Sequence, residues 1–107
     1  MKVVVFGAGY VGLSTAAVLA HLDHDVTVVD KLPDKIEKIA QGVSPILEAG
    51  MDALLEWLVR SGRLTVARTA ESAGAADVIF IAVGTPRLAN GQTDLTAVEE
   101  VARGIGA

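Results

Sequence analysis

An apolar, β-branched run, Lys2-Val3-Val4-Val5-Phe6, passes directly into Gly7-Ala8-Gly9-Tyr10-Val11-Gly12. The run reads as a strand, and Tyr10 to Leu22 reads as a helix. In the pattern G-x-G-x-x-G, Gly7 and Gly9 therefore occupy the turn between them and Gly12 lies in the first turn of the helix. The bare pattern is common. Set between a strand and a helix, with an acidic residue about twenty positions on, it becomes a signature of dinucleotide binding. Gly7 permits a tight turn off the strand. Gly9 leaves room where a pyrophosphate must approach the backbone, and Gly12 lets the helix pack closely. The free N–H groups of Tyr10 and Val11 then face the phosphates at the positive end of the helix dipole. The competing reading is a tight turn that binds nothing.

The remaining periodicity alternates in the same way. Asp25 to Val29 is a second strand closed by Asp30. Pro33 suits the first turn of a helix whose apolar stripe is Ile36, Ile39 and Ala40, with Gly42 as its stop. Val43 to Gly50 reads as a loop. Met51 to Arg60 reads as a helix with Leu54, Leu55 and Leu58 inward. Leu64 to Ala67 is a third strand, and Thr69 caps a short helix toward Ala75. Asp77 to Val83 is a fourth strand, and Asp94 caps a last helix toward Gly104. On the first helix, Val11, Ala16, Val18, Leu19 and Leu22 are available for one face. Strands alternating with helices imply an α/β fold: a Rossmann-type, doubly wound parallel sheet with expected strand order 3-2-1-4.

The chain has 107 residues, so residues 1–107 are read as one domain at most. At 51% hydrophobic residues it can bury a core covered on both faces of the sheet. Net charge is −4 with no basic cluster, which argues against nucleic acid as a partner. There is no cysteine, which removes disulfides, thiolate metal sites and cysteine nucleophiles from this stretch. No apolar run is long enough for a membrane span, and the first residues do not resemble a signal peptide. The expected setting is soluble and cytoplasmic, with no membrane partner and no metal.

Asp30 ends the second strand, where its carboxylate can accept hydrogen bonds from both hydroxyls of an adenosine ribose. It would repel a 2′-phosphate, which favours NAD over NADP. Lys31 beside it weakens that preference somewhat. Lys35 lies one helical turn on, and spacing alone leaves it open between a ribose contact and a solvated lysine. His21 and His24 bracket the end of the first helix without a partner at nucleophile spacing, and are read as surface or capping residues. Trp57 is read as packing. Glu48 and Glu71 lack a companion carboxylate, so no acid–base pair is assigned.

Four stretches in order resemble the N-terminal part of the UDP-glucose/GDP-mannose dehydrogenase family. They are "GAGYVGL", "VDKLPDKIEKIAQG", "SPILEAGMDALL" and "IAVGTPRLANGQTDL". The last two are the more specific, because generic dinucleotide domains lack them. The resemblance implies that Thr85 contacts the dinucleotide toward its nicotinamide side, with Val83, Gly84 and Pro86 shaping the turn. It also implies cofactor-binding roles for Tyr10, Val11, Asp30 and Lys35, and NAD as the cofactor. Three positions depart from the family pattern. Ala49 stands where proline is usual, Leu47 where an aromatic or valine is common, and Asp23 where glycine often closes the first helix. An aspartate in that left-handed position costs about 1 kcal/mol.

The family oxidises the C6 alcohol of a UDP- or GDP-sugar to a uronic acid, using two NAD molecules and a thioester on a cysteine. The residues for that chemistry have no counterpart in these 107 positions. The expectation is therefore a truncated, incomplete domain, inactive alone, whose parent meets its nucleotide-sugar substrate through a further part. A regulatory NAD(H)-sensing module of the transporter- or channel-associated type is the alternative from another class. A relative acting on small hydroxy acids, in the 6-phosphogluconate dehydrogenase group, is a third. The later two stretches argue against both. A fourth strand left at the sheet edge, apolar and without lysine or proline, is expected to drive self-association.

Overall fold

The computed structural model of the protein describes residues 1–44, 50–69, 73–83, 99 and 103. Its elements are β1 (Lys2–Phe6), α1 (Tyr10–His21), β2 (Asp25–Val29), α2 (Pro33–Ala40), α3 (Met51–Arg60), β3 (Leu64–Ala67) and β4 (Val78–Ile81). The strands form one sheet in the order β3-β2-β1-β4, and every pairing is parallel. The Rossmann-type order read from the sequence is thus the order found. Of the expected last helix from Asp94, only Glu99 and Arg103 are among the described residues, and both are helical; the turn at Gly84-Thr85-Pro86 lies outside them. So does part of the short helix expected after Thr69.

Valine alternation makes the sheet two-faced. Val3, Val5, Val26, Val28 and Leu64 pack against Leu13, Ala16, Ala17 and Ala20 of α1, Ile39 of α2, and Met51, Leu55 and Leu58 of α3. Val4, Phe6, Val29 and Ala67 form a smaller cluster on the other face with Ala73, flanked by Ala76 and Val83. Thr27 is the one buried polar residue among those described, and it is satisfied. Its hydroxyl meets Lys2 Nζ at 2.8 Å and Thr65 Oγ1 at 2.8 Å. A buried hydroxyl so paired escapes the desolvation cost of an orphan.

The inward face of α1 differs from the one that spacing makes available. Ala16 is buried and Leu19 is partly buried against the core, but Val11 (66% exposed), Val18 and Leu22 face outward. Gly12 explains the rotation. A Cβ there would overlap the Gly7 carbonyl oxygen and come within 3.3 Å of the Ala82 Cβ. The helix is therefore turned so that Gly12 meets the glycine loop. Helical spacing then puts Leu13, Ala16, Ala17 and Ala20 on the sheet. Ala40 likewise proves exposed, Leu54 is only half-buried, and Met51 joins Leu55 and Leu58 inside.

β4 is shorter than the run Asp77–Val83 suggested. Asp77 stands just before it and clamps β1. Its N–H donates to Lys2 O (2.8 Å), and its Oδ2 accepts from the Lys2 N–H (2.8 Å). Ala82 continues the pairing by donating its N–H to Phe6 O at 2.7 Å. Asp23 has φ of +71°, the left-handed closure foreseen for the end of α1, and Arg63 holds its carboxylate at 2.9 Å. Among the described residues, no helix is long and apolar enough to cross a membrane.

Candidate dinucleotide site

In a parallel sheet all carboxyl ends lie at one edge, so Gly7 after β1, Asp30 after β2 and Ala82-Val83 after β4 converge there. The glycine loop is held between its two neighbours. On the β2 side, Gly7 N–H donates to Val29 O at 2.8 Å. On the β4 side, Gly7 sits against Ala82 so closely that a Cβ would come within 2.5 Å of the Ala82 oxygen. Its φ of +104° independently calls for glycine.

Gly9 differs from its two companions. It is the N-cap residue of α1, with φ −78° and ψ −168°, a backbone open to any residue. A Cβ added there meets nothing within 4 Å. Neither packing nor backbone geometry asks for glycine at this position. What a side chain would fill is the space in front of the first turn of α1. Leu13 N–H takes Gly9 O at 2.9 Å, so the helix is bonded from its first residue. The N–H groups of the opening turn, at Tyr10, Val11 and Gly12, have no acceptor within an α-helix. No acidic side chain lies in that turn to occupy them. The result is a recess at Gly9, open beyond its two chain neighbours and beside the N–H donors of α1, which fits a pyrophosphate.

Asp30 sits at the rim, half-buried. Its Oδ2 accepts the Ala8 N–H at 2.9 Å and its Oδ1 accepts the Leu32 N–H at 2.9 Å. Each carboxylate oxygen has room for a second donor, so both can still receive ribose hydroxyls. Lys35 stands in the first turn of α2, half-buried, on the helix that starts at this edge. The structure therefore gathers Gly7, Gly9, Tyr10, Val11, Gly12, Asp30 and Val83 along one edge of the sheet. Val83 packs on the smaller core cluster. Gly84 and Thr85 lie outside the described residues. Ala8 and Ala82 were not singled out by the sequence, since neither residue type signals a role. Their parts are played by a backbone N–H and by close contact.

His21, His24 and Trp57 lie at the far end of α1 and on α3. His21 meets Trp57 edge-on at 6.2 Å between centroids, and the Arg63 guanidinium stacks 4.7 Å from the Trp57 ring. His24 Nδ1 is 3.2 Å from the terminal nitrogen of Met1. These groups pack at the opposite edge of the sheet.

The model of the UDP-glucose/GDP-mannose dehydrogenase family, NAD binding domain, matches residues 1–107. The chain belongs to this family. A UDP-glucose 6-dehydrogenase of Rhizobium meliloti is 47% identical over 109 residues, covering 100% of this chain and 25% of that protein. A GDP-mannose dehydrogenase from Pseudomonas aeruginosa, solved as a ternary complex, superposes with a TM-score of 0.95 at 44% identity. The match covers 99% of this chain and 24% of that one. A UDP-glucose dehydrogenase from Pyrobaculum islandicum superposes with a TM-score of 0.93 at 42% identity, over 98% and 24% of the two chains. The chain thus spans about a quarter of the length of the dehydrogenases it matches. It corresponds to the family's NAD-binding domain, and NAD is its cofactor.

Proposed function

We propose that the chain is the cofactor-binding part of a longer NAD-dependent nucleotide-sugar 6-dehydrogenase. That enzyme would oxidise the C6 alcohol of a UDP- or GDP-sugar to the uronic acid. The observation that carries the site is Gly9, whose missing side chain serves no purpose in the fold itself. Bound NAD supplies a hydride acceptor. In our reading, Gly7, Gly9 and Gly12 shape the recess, and the backbone of Tyr10 and Val11 binds the pyrophosphate. Asp30 receives the adenosine ribose, with Lys35 beside it. Val83, Gly84 and Thr85 border the nicotinamide end. The nucleotide sugar is met through the rest of the enzyme, and relatives named for UDP-glucose and for GDP-mannose support both as substrates.

Two measurements test this. Calorimetric titration should show NAD binding, and NADP binding weaker by about tenfold or more, since Asp30 would face the 2′-phosphate. The whole enzyme should form NADH with one of UDP-glucose or GDP-mannose, whereas the 107-residue polypeptide, lacking cysteine, should form none. Equal affinity for the two dinucleotides would remove Asp30 from the ribose. Turnover by the isolated polypeptide would overturn the division of labour.

A further inference from the structure

We propose that Asp30 is a positioning residue for the glycine loop, acting before any cofactor arrives. Its carboxylate bonds two turns at once. Oδ2 takes the N–H of Ala8, in the β1–α1 turn, and Oδ1 takes the N–H of Leu32, which opens α2. Ala8 is fully buried, lies beyond the end of β1 at Phe6, and precedes α1, which starts at Tyr10. Neither the sheet ladder nor the helix can pair its N–H. A buried N–H left unpaired is costly, and the carboxylate meets that need across 22 residues of sequence. Gly7 is fixed by Val29 O, and Gly9 O by Leu13 N–H. Asp30 thereby closes the gap between these two bonds, and all of Gly7–Gly9 is anchored.

The two roles are compatible because an ionised carboxylate accepts more than two hydrogen bonds. Ribose hydroxyls can add to Asp30 without displacing Ala8 or Leu32. The loop then waits in its bound shape, and binding spends little on ordering it. The inference rests on the dinucleotide reading of this site for its consequence, though not for its geometry. It separates Asp30 from a residue that merely touches the ligand: removing the carboxylate should loosen the loop in the empty protein.

Hydrogen exchange of the ligand-free protein, read in peptides spanning Gly7–Gly12 and Val3–Phe6, tests the proposal beside NAD calorimetry. Asp30→Ala and Asp30→Asn are the variants. Asn keeps the size but can accept at only one of the two positions. Exchange at Ala8–Gly9 should rise by about 10- to 100-fold with Ala, and less with Asn, while β1 stays protected. NAD affinity should fall in the same order. Leu58→Ala, on the buried face of α3, serves as a control that lowers global stability without speeding the loop. If Asp30→Ala does not fold, the Asn variant decides alone. Lower NAD affinity with unchanged exchange overturns the positioning role and leaves the dinucleotide reading intact. Faster exchange with unchanged NAD affinity also overturns it, because the anchor then serves no binding. Absence of NAD binding in the parent protein sinks the dinucleotide reading itself.

Discussion

The three glycines at the junction of β1 and α1 are required for three different reasons, and substitution separates them. At Gly12 a methyl group would strike backbone, and at Gly7 it would strike backbone in a left-handed conformation. At Gly9 it would enter open space on an ordinary backbone. Gly12→Ala should therefore cost stability, by about 1–3 kcal/mol or more, as overpacking does. Gly9→Ala should leave stability within about 1 kcal/mol, or raise it slightly by restricting the unfolded chain. Its NAD affinity should nevertheless fall by at least about tenfold. Denaturant titration and calorimetry on both variants check the pair. A Gly9→Ala protein as unstable as Gly12→Ala, yet binding NAD normally, would mean that the recess is not the pyrophosphate site. The positions of the three glycines at the β1–α1 junction and of Asp30 after β2 were legible in the sequence, because turn chemistry is local. The sequence did not reveal that Asp30 bonds Ala8, since an alanine N–H carries no mark in the one-letter code.

At the scale of elements, legibility depended on contrast. α3 carries charged residues between its leucines, so its inward face could be read, and Leu55 and Leu58 are fully buried. Leu58→Ala should cost about 2–5 kcal/mol, a large share of the roughly 5–15 kcal/mol available to a small domain. Chemical denaturation measures it, and a loss below about 1 kcal/mol would contradict the burial. α1 offers no such contrast, because it is apolar almost all round and its periodicity points nowhere. Its rotation is set by the contact of Gly12 with Gly7, a tertiary fact, and this is why periodicity alone does not show that Val11, Val18 and Leu22 face outward. Strand order, by contrast, followed from the glycine fingerprint, because it marks the doubly wound dinucleotide fold, whose first four strands run 3-2-1-4.

At the scale of the whole molecule, β4 is the open side among the described residues. β4 pairs only with β1 among the described strands, and Ile79, Phe80 and Ile81 are 39%, 40% and 41% exposed. No lysine or proline guards that strand. The isolated 107-residue polypeptide should therefore self-associate as concentration rises, which sedimentation across a dilution series would reveal. A monomer at high concentration with rapidly exchanging β4 amides would refute this. The order 3-2-1-4 also has a consequence in time. β1 is made first yet stands inside the sheet, and its second neighbour begins with Val78 opposite Val3. At synthesis rates of about 5–20 residues per second, one flank of the earliest strand stays open for several seconds after it is made. Joining ends so far apart is a slow, late step of folding. A nascent chain halted before Val78 should therefore be the form most in need of a chaperone.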